Sequence, residues 1–388
     1  MPKRAPSLPE IGLKTNVNKV TAGTKEIPNI WLRDNCQCTA CVHDDTKQRL
    51  LDTFSIPKNI AISNCSETEE AINIQWSDGH ESQYSKEFLE DAANTFEERA
   101  IVRQGITNLE LWGSEIVENP PRVRYSETGD TQSLVTDLLT RIRKFGFCYV
   151  LDAPATPEAT EQILRSIAFI RETHYGGFYD FTADLASKDT AYTNIALEAH
   201  TDTTYFSDPA GLQAFHLLEH SGGEGGASLL VDGFKVAADL LAEDPEAYGI
   251  LASTNVHSHA SGNEGIYIQP YRGFPVFQHD PATGIPLQVR WNSSDRAGVE
   301  LPIDQVEGWY DAARKWDALL KQEENEYWAK LEPGKILVFD NWRVLHGRSA
   351  FTGKRRICGG YINRDDWISR FKVGYFGKDR ILERLATG

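Results

Sequence analysis

Ile72, Ile74 and Trp76 alternate with Asn73 and Gln75, a shorter apolar alternation covers residues 60–62, and Asp78-Gly79 supplies a turn signal beyond them. Period two places every second side chain on one face of an extended chain, so residues 29–120 are expected to form a small β-rich domain. Its end is set by Glu118-Asn-Pro-Pro-Arg and the polar run 125–131, which read as a linker. Residues 1–28, interrupted by Pro6 and Pro9, are expected to be a flexible N-terminus, and residues 121–388 a second domain.

The period changes in that second domain. Thr156-Pro157 offers an N-cap with proline at the first helical position, ahead of Ile163, Ile167 and Ile170 at helical spacing. A second helix is expected from Asp304, with Glu307 closing a capping box and Val306, Trp309, Tyr310, Ala313, Trp316 and Leu320 on a stripe that would pack against a sheet. Around these helices lie short β-rich runs at 145–151, 229–231, 266–268, 287–291, 336–339 and 357–361. Many short strands with few helices predict a mainly β fold with α elements, an antiparallel jelly roll rather than a doubly wound sheet.

Charge narrows the function. The 388 residues carry 40 basic and 56 acidic side chains, a net charge of −16, which disfavours a nucleic-acid partner because phosphate neutralisation needs a basic surface. An acidic surface mildly favours a cationic ligand. No apolar run is long enough to span a bilayer, so no membrane partner is expected. The first 25 residues hold five basic and one acidic residue without an apolar h-region; this predicts a cytoplasmic protein, with a mitochondrial presequence as the alternative. Gly222, Gly223, Gly225 and Gly226 lack the lysine or GxGxxG context of a phosphate loop.

Two groups of metal-ligating residue types stand out. His200 and Asp202 lie two apart, so on an extended backbone both point the same way, but such a pair arises readily by chance among 10 histidines and 56 acidic residues. His346 follows the apolar run 336–339. Two imidazoles and one carboxylate form a facial triad that leaves three iron positions open, for a bidentate keto acid and dioxygen. The keto acid's distal carboxylate needs a cation, and Arg355 or Arg356 would supply a bidentate fork. In the N-terminal part, Cys36, Cys38 and Cys41 crowd into six positions and His80 follows, a donor set for a closed tetrahedral zinc site. Cys65, Cys148 and Cys358 read as ordinary buried thiols.

The stretches Ile170-Arg-Glu-Thr-His-Tyr-Gly, Asp189-Thr-Ala-Tyr-Thr, His200-Thr-Asp-Thr-Thr-Tyr-Phe, Leu230-Val-Asp-Gly-Phe and Asp340-Asn-Trp-Arg-Val-Leu-His-Gly-Arg resemble the γ-butyrobetaine/trimethyllysine dioxygenase family of iron(II)- and 2-oxoglutarate-dependent oxygenases. The likeness covers nearly the whole chain. It implies a double-stranded β-helix core with buttressing helices, iron on His200, Asp202 and His346, and 2-oxoglutarate on Arg355 with Ser228. It implies an aromatic cage for a trimethylammonium group at Tyr175, Tyr179, Tyr192 and Tyr361; relatives commonly carry tryptophan where Tyr179 stands. A quaternary ammonium donates no hydrogen bond, so aromatic faces must recognise it.

The same resemblance implies that Asp189 pairs the α-ammonium of Nε-trimethyllysine, where γ-butyrobetaine enzymes tend to carry asparagine, and that Asn292 meets the substrate carboxylate. The implied reaction hydroxylates trimethyllysine at C3 and converts 2-oxoglutarate to succinate and CO2, with ascorbate as an auxiliary reductant. Structural zinc on Cys36, Cys38, Cys41 and His80, and a homodimer, are implied as well. The competing expectations are a γ-butyrobetaine hydroxylase, a non-catalytic 2-oxoglutarate-binding protein and a zinc hydrolase, the last leaving Arg355 and the tyrosines unexplained.

Overall fold

The computed structural model describes residues 13–16, 19–22, 25–93, 109–182 and 193–385. Two units divide them: Met1–Ile106 with Phe376–Gly388, and Thr107–Tyr375.

The first unit begins with three short antiparallel strands, β1 (Leu13–Asn16), β2 (Lys19–Ala22) and β3 (Lys25–Ile27), where a flexible segment was expected. Burial explains the difference. Val20, Ala22 and Ile27 join Ile72, Ile74 and Trp76 in one core, so a stretch too short to show a clear pattern is held by what it packs on. Helix α1 (Asn29–Asp34) follows. The meander β4 (Ile62–Glu67), β5 (Ala71–Trp76) and β6 (Glu81–Ser85) then turns at Asp78-Gly79 as expected, Gly79 taking a φ of +85° that a side chain would resist. Helix α2 (Lys86–Ala93) closes the segment.

In the second unit, β7 (Arg122–Arg124) leads into helix α3 (Thr131–Phe145) and strand β8 (Phe147–Leu151). The polar run read as a linker thus ends at an N-cap, Asp130, and the expected boundary near 120 lies inside this unit, where buried Trp112 packs against Phe147 at 5.0 Å. Helix α4 (Pro157–Ile167) starts as predicted, with the Thr156 hydroxyl accepting from the Ala159 amide; Ile170 lies beyond its end.

The remaining elements are β9 (Tyr179–Thr182), β10 (Leu197–His200), β11 (Leu212–Ser221), β12 (Ser228–Asp232), α5 (Gly233–Glu243), α6 (Pro245–Ser253), β13 (Val256–Ser258), β14 (Phe277–His279), β15 (Pro286–Val289), β16 (Arg296–Val299), α7 (Val306–Leu320), β17 (Tyr327–Ala329), β18 (Lys335–Asp340), β19 (Val344–Arg348), β20 (Lys354–Ile362) and α8 (Arg364–Phe376). Helix α9 (Lys378–Leu385) belongs to the first unit.

Two sheets carry the architecture, a six-stranded one in the order β7-β8-β18-β11-β20-β9 and a four-stranded one in the order β10-β19-β12-β17. Phe147, Tyr149, Leu337, Phe339 and Ile357 from the first share a core with Leu230, Tyr327 and Val344 from the second, so the sheets face each other as a β-rich sandwich. The outer face of the four-stranded sheet is covered by α5, α6 and α7, where Leu229 and Val231 meet Val236, Leu240, Leu251, Trp309 and Trp316.

Two sequence expectations are corrected here. Helix α7 starts at Val306 after Gln305, without the Asp304 capping box, and packs on α5 and α6 as well as on strand residues. Residues 266–268 form no strand, and Ile268 makes only an isolated bridge to Ala260.

Candidate functional site

Antiparallel pairing of β10 with β19 sets His200 directly opposite His346, with ring centroids 4.3 Å apart. Gly347 allows this approach: a Cβ there would stand 2.6 Å from the Leu197 carbonyl oxygen. Asp202 follows two residues beyond His200, its Oδ1 3.3 Å from His200 Nε2 and 3.8 Å from His346 Nε2. Donors about 2.1 Å from one ion at right angles would lie about 3 Å apart, so a small inward shift closes the triad on a cation. His200 Nδ1 donates to the Glu198 carbonyl at 2.7 Å, which leaves Nε2 with its lone pair.

The electrostatics suit that reading. Burial would raise the Asp202 carboxyl, but the neighbouring His346 and His200 and a hydrogen bond from Tyr361 hold it well below the usual range, and Asp202 in turn raises His200. His346 is pushed down to about 3 by burial and by His200. An ionised carboxylate beside a neutral imidazole is what a divalent metal requires.

The surrounding segments are locked. Buried Asn341 accepts from the Asp202 amide at 2.8 Å and donates to the Asp202 and Ala210 carbonyls at 3.0 Å. Arg343 makes a fully buried pair with Asp232 (2.7 Å) and donates to the Lys144 and Glu110 carbonyls, anchoring the start of β19. These contacts account for the Asp-Asn-Trp-Arg and Val-Asp-Gly-Phe stretches as scaffolding.

A cavity of about 390 Å³ opens over the triad and is lined also by Arg355, Arg348, Ser228, Tyr175, Tyr179, Tyr361, Trp291 and Asn292. Arg355 is 5% exposed, and no carboxylate pairs with it among the described residues. Burial and the neighbouring Arg348 push its guanidinium down to about 10, so it stays charged at neutral pH. Arg356, one residue on, points away and donates to Asp180 at 2.8 Å. The alternation of β20 therefore decides between the two arginines. A buried cation with no carboxylate partner among the described residues, lining the same cavity as Ser228, fits the distal carboxylate of a keto acid.

Of the predicted cage, Tyr175, Tyr179 and Tyr361 line the cavity, Tyr179 and Tyr361 meeting edge to face at 5.9 Å. Tyr192 and Asp189 lie outside the described residues. Asn292 lines the wall, but its amide accepts from the Ser294 and Asp295 backbones and donates to the Asp295 carboxylate at 2.8 Å, closing a local turn. Sequence reasoning did not single out Tyr205, which is 5% exposed in the cavity wall, although it stands three residues beyond Asp202 in a stretch already marked. Gln213 was also missed. It lies on β11, where residues on both faces from Leu212 to Leu217 are mostly buried, so no alternation marks the face that meets the site.

In the first unit, His80 Nε2 lies 3.3 Å from Cys36 Sγ, 3.5 Å from Cys38 Sγ and 3.5 Å from Cys41 Sγ. Sulfur at about 2.3 Å and nitrogen at about 2.1 Å from a tetrahedral zinc would be about 3.5 Å apart, so the spacing fits the ion. Burial and the charge of Cys36 push the Cys41 thiol up to about 12, a crowding of sulfurs that a divalent cation relieves. Buried Arg33 reaches Cys41 Sγ (3.5 Å) and Asp78 (2.9 Å), and Asp78 accepts from the His80 amide at 3.0 Å. This shell orients the donors and offsets the excess negative charge of three thiolates.

Residues 106–361 match the family described as taurine catabolism dioxygenase TauD, TfdA family, and residues 17–90 match the gamma-butyrobetaine hydroxylase-like N-terminal family. A trimethyllysine dioxygenase of Neurospora crassa is 49% identical, over 94% of this chain and 84% of its own. A mitochondrial trimethyllysine dioxygenase of Bos taurus is 38% identical over 89% and 82%. A gamma-butyrobetaine dioxygenase of Pongo abelii is 27% identical over 89% and 90%.

Proposed function

Because this chain belongs to the TauD, TfdA family of dioxygenases and, within it, to the trimethyllysine dioxygenases, we propose that it hydroxylates Nε-trimethyllysine at C3. It is an iron(II)- and 2-oxoglutarate-dependent oxygenase. Substrate, dioxygen and 2-oxoglutarate become 3-hydroxy-Nε-trimethyllysine, succinate and CO2, so the two oxygen atoms divide between the two organic products. The observation that carries this reading is the meeting of His200, Asp202 and His346 under a cavity that also holds the Arg355 guanidinium, which has no carboxylate partner among the described residues.

Iron(II), when bound to the triad, supplies the redox chemistry that joins decarboxylation of the keto acid to oxidation of a C–H bond. The protein's own residues position the reactants. In this reading Arg355 and Ser228 hold the distal carboxylate of 2-oxoglutarate, leaving its keto acid end toward the triad. Tyr175, Tyr179 and Tyr361 present ring faces to the trimethylammonium group, each worth about 0.5–2 kcal/mol according to how dry the site is. Tyr205 extends that wall. Asp189 pairs the α-ammonium and Asn292 approaches the substrate carboxylate. Holding both ends of a linear substrate determines which carbon faces the metal.

The γ-butyrobetaine reading rests on the more distant relative; Cys36, Cys38, Cys41 and His80 we propose hold structural zinc. Incubation with both betaines in competition, scored by mass gain of one oxygen, separates the two. Preferential oxidation of trimethyllysine is expected, with a loss of that preference in Asp189→Asn. Equal use of both substrates by the parent enzyme would overturn the assignment. His200→Ala should abolish turnover. Omitting ascorbate tests the auxiliary reductant, sedimentation tests the homodimer, and cell fractionation decides between the cytoplasm and the mitochondrion named for the bovine relative.

A further inference from the structure

Gln213 on β11 and Tyr361 on β20 are direct cross-strand partners, so their side chains emerge together on one face of the six-stranded sheet. Both reach the same atom. Gln213 Nε2 donates to Asp202 Oδ2 at 2.7 Å, and the Tyr361 hydroxyl donates to it at 2.6 Å. The Gln213 amide cannot be turned over, since its oxygen would then face a carboxylate. Its Oε1 is buried without a partner among the described residues. Asp202 Oδ1, the other oxygen, lies 3.3 Å from His200 Nε2 and 3.8 Å from His346 Nε2.

A carboxylate can bind a metal through one oxygen or two. Six positions surround the ion; two imidazoles and one oxygen leave three, the number a bidentate keto acid and dioxygen need, whereas a second carboxylate oxygen would take one of them. We propose that Gln213 is a positioning residue which, with Tyr361, occupies Asp202 Oδ2 and so holds the iron carboxylate to a single-oxygen bond. The idea rests on the reading of His200, Asp202 and His346 as the iron triad.

Gln213→Leu removes one donor and Tyr361→Phe the other while keeping the ring. Each variant and the parent would be stripped of metal and titrated with Fe(II) and with Co(II). The absorption of the Co(II) forms reports coordination number, and thermal melts of the metal-free proteins report folding. The expected result is a loss of metal affinity of about 10- to 100-fold, a Co(II) spectrum changed from the parent's, and a larger share of 2-oxoglutarate consumed without substrate hydroxylation. Metal-free melting should stay close to the parent's.

Parent-like affinity and Co(II) spectra in either folded variant would overturn the proposal. A lowered metal-free melting temperature with unchanged Co(II) spectrum would overturn it too, as the mark of a packing role. If the parent itself binds neither ion, the triad reading fails instead, and the two failures are thereby distinct.

Discussion

The carboxamide of Asn341 brackets the backbone of Asp202 across 139 positions of sequence, accepting from its amide at 2.8 Å and donating to its carbonyl at 3.0 Å. Asp202 stands beyond the end of β10, and Thr203 after it has a φ of +59°, so no strand ladder holds the carboxylate in place. A buried side chain substitutes for the missing ladder.

Asn341→Ala should therefore affect stability and site together. Each buried backbone group left unpaired costs about 1–3 kcal/mol. Urea unfolding of the metal-free variant should show a loss of that order, with weaker iron binding measured alongside. Unchanged stability would mean that water replaces the amide.

Arg355→Ala and Arg356→Ala separate two neighbours of equal charge. Arg355 is buried beside the cavity, and Arg356 is half-buried and paired with Asp180. The first should raise KM for 2-oxoglutarate by at least about 10-fold, as for a lost charge-assisted pair worth about 1.5–3 kcal/mol. The second should change it little, since exposed pairs contribute about 0–1 kcal/mol. Equal effects would detach the keto acid from Arg355.

Much of the site was legible from residue type and spacing, because a triad, a counter-cation and a Cys/His set are chemical requirements that few other patterns meet. Which of Arg355 and Arg356 faces inward was legible only through the family resemblance and not from residue type, since strand register fixes a side chain's face and register depends on the partner strands. Gln213 was hidden for the same reason. Helix α3, by contrast, had a readable stripe: Val135, Leu138, Leu139 and Ile142 follow helical spacing and are all buried. The polar run before it drew attention to a linker and away from that stripe. The N-terminal strands could not be read, because their burial comes from residues fifty positions later.

The zinc reading predicts that the first unit depends on metal. Three thiols and an imidazole already at tetrahedral spacing make zinc binding part of folding free energy. Strong chelation, or Cys38→Ser, should lower the melting temperature and release close to one zinc per chain, detected by a colorimetric chelator. Arg33→Met should weaken zinc binding without removing a ligand. A parent enzyme with no zinc and an unaltered melt after chelation would refute the site.

A pH prediction concerns His216, which lies in the ladder of β11. It is fully buried, with Nδ1 2.6 Å from the Thr160 hydroxyl and Nε2 accepting from the Gly334 amide at 3.0 Å. Burial pushes it down to about 4. Its folded value lies below the unfolded value of about 6.5, so between the two the unfolded chain binds the extra proton. Its contribution is thus fully present above the unfolded value and is lost as pH falls from about 6.5 toward about 4. Protonation would also place a donor at Nε2 against the Gly334 amide, which has nothing to accept with. Denaturant unfolding of the metal-free protein should show stability falling across that window, and His216→Gln, which cannot protonate, should flatten the slope whatever it costs in absolute stability. An identical slope in the variant would assign the acid sensitivity to other groups.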